Sequence, residues 1–206
     1  MNLFSQSQQE RRFEKFDLRD GELWMMDNFM SIDKAQFYYD TFYQTINWKQ
    51  EEIKMYGKTF AVPRLTAWYG YESFNYSYSG IMCNPDPWTK ELLDIKRVIE
   101  HFMPEEDFNS VLLNLYRNGN DKVSWHADDE RELGVNPIIA SVSLGAERRF
   151  DLKHKDYPDE KLQLNLKAGS LVVMREALQH NWLHQIPVQK KINDPRINLT
   201  FRTIKF

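Results

Sequence analysis

The sequence predicts a mostly β domain of the α+β class, built on an antiparallel sandwich or barrel with supporting helices. Three observations predict it. Seven short runs in the second half of the chain alternate or are β-branched, turn signals separate them, and helical periodicity is confined to two segments. Short strands joined by turns rather than helices pair antiparallel and bury a face against another sheet.

In chain order, the first 25 residues are polar. A loosely held extension is expected there, with one domain over 26–206. A helix is expected over 33–46, where Ala35, Tyr38, Phe42 and Ile46 recur at helical spacing after Ser31. A second is expected over 89–102, with Leu92, Ile95, Ile99 and Phe102 as its apolar stripe, Pro87 and Thr89 before it and Pro104 after it. The expected strands are 109–117, 137–144, 147–152, 161–167, 170–175, 181–188 and 196–204, with Asn118-Gly119-Asn120 and Ala168-Gly169-Ser170 as turns. Residues 53–88 hold nine aromatics in 36 positions, and Tyr76 and Tyr78 alternate with serines like a half-exposed strand presenting rings.

Composition bounds the function. The 206 residues are 42% hydrophobic and 14% aromatic, enough for a packed core and too much for a disordered chain. Mean hydropathy is −0.65 and no apolar run reaches the ~18 residues of a membrane span. No apolar stretch follows the N-terminal charges, so no secretory signal is expected. The single cysteine, Cys83, excludes an internal disulfide and a cysteine-rich zinc site, and an intracellular setting is expected. With a net charge of −3, a nucleic-acid partner would need a local basic patch. Residues 185–206 concentrate Lys190, Lys191, Arg196, Arg202 and Lys205 against Asp194 alone.

Two constellations carry chemistry. In an extended segment His126 and Asp128 project an imidazole and a carboxylate to one side. That is two-thirds of a facial triad, the set that holds non-haem Fe(II) and leaves other positions open. His101 ends a helix and His154 lies between lysines, so the third ligand is sought in LQHNWLHQIP. His184 is favoured there, with His180 as the competing ligand. The second constellation is a strand with two unlike faces. Ile197, Leu199 and Phe201 form one face, and Arg196, Asn198, Thr200 and Arg202 the other. If the polar face points inward, its guanidiniums require an anionic partner. A dicarboxylate suits both arginines, since guanidinium binds carboxylate bidentately. Asn114 and Tyr116, also two apart, could add hydrogen bonds.

The joint pattern His126-x-Asp128, His184, then Arg196-x-Asn198-x-Thr200-Phe201-Arg202 resembles the AlkB family of Fe(II)/2-oxoglutarate-dependent dioxygenases over roughly residues 53–204. Within it the chain is similar to the nucleic-acid dealkylating branch, especially its duplex-DNA-preferring member, on Met55-Tyr56-Gly57-Lys58, Val62-Pro63-Arg64, Tyr76-Ser77-Tyr78-Ser79-Gly80 and Pro85-x-Pro87-Trp88. The resemblance implies a double-stranded β-helix, or jelly roll, over 109–204, with supporting helices and an N-terminal nucleotide-recognition lid over 53–80. It implies Fe(II) on His126, Asp128 and His184, and 2-oxoglutarate held by Arg196 and Arg202 with Asn114, Tyr116, Asn198 and Thr200, the division between the two arginines being open. O2 is the second co-substrate.

The implied reaction is oxidative removal of N-alkyl groups from bases of the 1-methyladenine and 3-methylcytosine type, releasing formaldehyde, succinate and CO2. A base within a duplex must be flipped out to reach the iron. Tyr78 and His126 would sandwich it, Tyr76, Asp129 and Glu130 would contact its edge, and a hairpin with Tyr56, Gly57 and Lys58 would fill the gap. Arg64, Lys58, Arg148, Arg149, Lys153, Lys155, Lys190 and Lys191 are candidates for phosphates. The expected partner of a monomeric chain is alkylated DNA, with RNA second to it, and no membrane. The alternatives are a dioxygenase of the same chemistry acting on RNA or protein, a non-catalytic jelly-roll binding module, or a zinc hydrolase.

An aromatic filling a duplex gap matters only where a gap forms. Stacking on bases is worth about 1–3 kcal/mol. Tyr56→Ala is therefore expected to lower turnover of double-stranded substrate roughly 5- to 150-fold, leaving single-stranded turnover nearly intact. Paired kinetics on the two substrates check it; no loss on either would make Tyr56 an ordinary turn residue.

Overall fold

Strand pairing dominates the chain. The computed structural model describes residues 11–55, 57–71, 76–78, 81–83 and 85–205, and of residues 54, 55, 76–78 and 81–83 the backbone. Strands β1 (Glu14–Leu18) and β2 (Gly21–Met26) precede helix α1 (Ile32–Thr45). A hairpin of β3 (Glu52–Met55) and β4 (Lys58–Ala61) follows, then β5 (Leu65–Gly70), a second hairpin of β6 (Tyr76–Tyr78) and β7 (Ile81–Cys83), and the short β8 (Asp86–Pro87). Helix α2 (Lys90–Phe102) leads into β9 (Ser110–Tyr116), β10 (Val123–His126), β11 (Ile139–Gly145), β12 (Arg148–His154), β13 (Lys161–Leu166) and β14 (Leu171–Arg175). The single turn α3 (Leu178–Asn181) precedes β15 (Trp182–Ile186) and β16 (Arg196–Arg202).

Two sheets result. The larger has the order β1-β2-β14-β11-β16-β9-β5-β8, and the smaller β10-β15-β12-β13. Every pairing in them is antiparallel except β5 with β8. The eight-stranded sheet is covered on both faces. On one, Leu113, Val142 and Leu199 pack with Phe42 of α1 and Ile95 and Ile99 of α2. On the other, Tyr116, Val172 and Met174 pack with Phe150, Leu152 and Trp182 of the smaller sheet. The helices lie where their stripes put them. Ser31 caps α1 by accepting from the Lys34 amide, and Thr89 caps α2 by accepting from that of Leu92. No helix among the described residues is long and apolar enough to cross a membrane.

Three expectations are corrected. The loose extension over 1–25 does not hold for 14–25: β1 and β2 continue the large sheet, β2 pairs with β14, and Leu23 is fully buried. Cations hid this strand in the sequence. Lys15 and Arg175 lie over the Trp24 ring at 4.1 and 4.2 Å, screening it from solvent. The lid over 53–80 is not one unit either, because β5 pairs with β9 inside the large sheet and buries Ala67 and Tyr69. For the same reason the strand core is wider than 109–204. The hairpin β3–β4 forms its own two-stranded sheet.

One close approach ties the loop after β9 to the loop before β16. The Gly119 amide donates to Ile192 O at 2.7 Å, and the Gln189 amide donates to Gly119 O at 2.8 Å. A Cβ at Gly119 would stand 1.9 Å from the Gln189 carbonyl oxygen, so backbone must move to admit it. Gly119→Ala is expected to destabilise the fold by about 1–3 kcal/mol, lowering the thermal midpoint by roughly 2–12 °C. Thermal unfolding followed by circular dichroism tests this; an unchanged midpoint would contradict the packing described.

Candidate metal and dicarboxylate site

Antiparallel pairing of β10 with β15 sets His126 directly opposite His184, with ring centroids 4.2 Å apart. The chain then leaves β10, and Asp128 lies two residues beyond His126. His126 Nε2 lies 3.6 Å from Asp128 Oδ1, and one ligand atom from each of His126, Asp128 and His184 lies within 4.8 Å of the others. His126 Nδ1 is 2.9 Å from Ser124 O, which calls for a proton on Nδ1 and leaves the Nε2 lone pair available. Asp128 is held from two sides: its amide donates to Gln179 Oε1 at 2.9 Å, and its Oδ2 accepts from Arg202 Nη2 at 2.7 Å.

Electrostatics prepare the same three groups. Burial opposes a charge on Asp128, but the Arg202 guanidinium, with the two imidazoles adding to it, outweighs burial and holds the carboxyl far below its usual range. Burial pushes the His184 pKa down to about 3 despite Asp128, so the imidazole is neutral at pH 7 and able to bind a metal. His180, the competing ligand, lies apart in α3, where its Nε2 accepts from the Asn136 amide at 3.3 Å.

The two-faced strand is β16, and its polar face points into the sandwich. Arg196 is fully buried. Its Nη2 donates to Ser143 Oγ at 2.9 Å, while its Nε and Nη1 have no hydrogen-bond partner among the described residues. Burial pushes its pKa down to about 10. The register places Tyr116 opposite Arg196, and Asn114 opposite Asn198. Asn198 donates to Ser141 Oγ at 2.8 Å, and Thr200 is buried beside it. Arg202 sits at the far end of the same strand against Asp128, so the two arginines are divided between two places.

Other expected residues fall elsewhere. Arg64, expected at phosphates, turns inward and donates from Nε to Asn114 Oδ1 at 2.7 Å, because β5 carries it into the large sheet beside β9. Arg148, expected there too, is buried and donates to three backbone carbonyls. Tyr56 lies outside the described residues. Gly57 takes a φ of +74° at the β3–β4 turn, with Lys58 exposed next to it. The backbone of Tyr76 and Tyr78 forms β6 against β7. Asp129 is exposed, 3.6 Å from Lys155 Nζ, and Glu130 is half-buried, its pKa raised by burial and by the charge of Asp128. Sequence reasoning missed Ser141, Ser143 and Gln179. The serines alternate with Val142 and could have been found by the rule that found Arg196 and Arg202; Gln179 carried no such signal.

The model of the 2OG-Fe(II) oxygenase superfamily matches residues 22–202. The alpha-ketoglutarate-dependent dioxygenase alkB homolog 3 of Bos taurus is 40% identical over 185 residues, covering 85% of this chain and 64% of that protein. The DNA oxidative demethylase ALKBH2 of Arabidopsis thaliana is 33% identical over 222 residues, covering 91% of this chain and 68% of that protein. The chain thus spans just under two thirds of the length of the mammalian alkB homolog 3 proteins. Among solved structures, that of OsALKBH1 superposes with a TM-score of 0.62 at 16% identity, covering 90% of this chain and 99% of that one, a likeness of fold.

The Arg202–Asp128 pair generates a pH-dependent expectation. The Asp128 carboxyl titrates lower in the fold than in the unfolded chain, so the stability it contributes is present above about pH 4 and is lost as pH falls through the folded value. Arg202→Met leaves the buried carboxylate unpaired and is expected to cost about 3–5 kcal/mol at pH 7 in the metal-free protein. That deficit should shrink as pH falls below about 4. Denaturant unfolding across this range checks it, and a deficit independent of pH would refute the pairing.

Proposed function

Because this chain belongs to the 2OG-Fe(II) oxygenase superfamily and, within it, to the AlkB family, we propose that it removes N-linked alkyl groups from DNA bases by oxidation. The family implies Fe(II), 2-oxoglutarate and O2. One observation carries the reading to this chain: a His-Asp-His group beside a strand whose buried Arg196 has two donor nitrogens without a partner among the described residues. Two imidazoles and one carboxylate suit Fe(II) with open positions, and a buried guanidinium with unused donors suits a carboxylate. With the co-substrates bound, the metal supplies the oxidising power that hydroxylates an N-alkyl carbon, and the products are formaldehyde, succinate, CO2 and the restored base.

The chain's own residues position and protect. His126 Nε2, the neutral His184 and Asp128 hold the metal. Arg202 keeps Asp128 ionised and takes its Oδ2, leaving Oδ1 toward the imidazoles. Arg196, six residues along β16, takes the carboxylate of 2-oxoglutarate remote from the metal, beside Tyr116, Asn198 and Thr200. Asn114, held by Arg64, lines the same wall. Asp129 and Glu130, directly after the ligand carboxylate, favour a base made cationic by alkylation. Tyr78 on β6 and His126 stack the base, Tyr76 meets its edge, and residues Tyr56, Gly57 and Lys58, between β3 and β4 in sequence, meet the strand it leaves. The substrates are lesions of the 1-methyladenine and 3-methylcytosine type. The chain acts inside the cell as a monomer, as one domain.

The test is formaldehyde and succinate release from methylated single- and double-stranded DNA, with RNA and peptide as comparisons, with and without Fe(II) and 2-oxoglutarate. His126→Ala, Asp128→Ala and His184→Ala are each expected to reduce release to background, and His180→Ala to leave it near that of the parent chain. Turnover on RNA or peptide alone would reassign the substrate. Activity surviving His184→Ala but not His180→Ala would reassign the ligand.

A further inference from the structure

Two buried arginines reach one aromatic ring from opposite sheets. Arg196 comes from β16 and Arg148 from β12, and their guanidinium carbons lie 5.3 and 5.5 Å from the centroid of the Tyr116 ring. Arg148 is 1% exposed and Arg196 0%. Every donor nitrogen of Arg148 is engaged: Nε with Gln189 Oε1 at 3.2 Å, Nη1 with Asn118 O at 3.1 Å, and Nη2 with Asp121 O and Pro187 O, both at 2.8 Å. All four acceptors are neutral, so its hydrogen bonds are satisfied while its charge is not.

The carboxylate that bears on Arg148 is that of Asp121, and Arg117 holds it with Nε at 2.7 Å and Nη2 at 2.9 Å. Among the described residues neither Arg148 nor Arg196 forms an ion pair with a carboxylate. Burial pushes the pKa of both down, and Arg148 also pushes down that of Arg196. Two positive charges therefore lie against one ring in a low-dielectric interior, and of their donor nitrogens only Nε and Nη1 of Arg196 have no hydrogen-bond partner among the described residues.

We propose that Arg148 is a positioning residue that fixes the Tyr116 ring and, without touching the ligand, adds the second positive charge by which the Arg196 pocket selects a 2-oxo acid with a distal carboxylate over one ending in methyl. The proposal rests on the pocket taking 2-oxoglutarate. Charge interaction acts through space at reduced dielectric, so cancelling the Arg148 charge should weaken the distal carboxylate without removing any contact to it.

Gln189→Glu cancels that charge while keeping an acceptor oxygen for Arg148 Nε and for the Arg149 amide. Calorimetric titration of the Mn(II)-loaded chain with 2-oxoglutarate and with 2-oxopentanoate, its methyl-ended counterpart, reads the selectivity as a ratio of affinities. Gln189→Glu is expected to lower that ratio roughly tenfold, about 1.4 kcal/mol, by weakening 2-oxoglutarate alone. Arg148→Lys, which keeps the charge and loses the fork, should hold the ratio within about threefold of the parent chain. A ratio unchanged by Gln189→Glu, or equal losses for both acids, would overturn the proposal. A parent chain that binds neither acid would instead refute the proposed function on which it rests.

Discussion

Everything in the site depends on one strand buried on both faces. β16 carries Ile197, Leu199 and Phe201 into the helix-backed core and Arg196, Asn198, Thr200 and Arg202 into the space between the sheets. Burying such groups is unfavourable unless each finds a partner. The flanking strands supply partners at the same period of two. Ser141 and Ser143 of β11 accept from Asn198 and Arg196, and beyond the sheet Asp128 accepts from Arg202. The Nε and Nη1 donors of Arg196 are where this requirement is left unmet among the described residues.

The His126-Asp128-His184 group has the same logic in a different geometry. Pairing of β10 with β15 brings two imidazoles together that lie 58 residues apart in sequence. A strand pair alone could not deliver the carboxylate, because Asp128 lies beyond the end of β10. Gln179 and Arg202 do that, one gripping its amide and the other its side chain. Three separate elements, α3, β10 and β16, thus converge on one aspartate. The charge of Arg202 keeps it ionised where burial would neutralise it.

Around this core the chain separates what must be rigid from what faces outward. The large sheet is buried on both faces, and β5 and β2 extend it with apolar side chains. The β3–β4 hairpin stands in its own sheet and exposes the cross-strand pair Ile53 and Phe60, at 43% and 49%. Arg148 marks the boundary: it joins the loop after β9 to the loop before β16 through three carbonyls, so both loops are fixed relative to Tyr116.

By itself the sequence determined what local periodicity encodes. Both long helices, the strands from β9 onward other than β10, and the two faces of β16 lie where alternation and caps place them, because period two and period 3.6 are local properties. The polarity of residues 14–25 concealed β1 and β2, since the burial of β2 depends on its pairing with the distant β14, whose Arg175 lies over Trp24 together with Lys15 of β1. Aromatic density in 53–80 suggested one unit, whereas tertiary pairing assigns β5 to the large sheet. The motif named His126, Asp128 and the arginines, and sequence alone favoured His184 as the third ligand while leaving His180 as its competitor. Only the fold groups His184 with His126 and Asp128, gives Arg202 to Asp128, leaves Arg196 with unused donors, and turns Arg64 and Arg148 inward. Those outcomes are set by which strands become neighbours, and strand neighbours are chosen by global packing rather than by any local pattern.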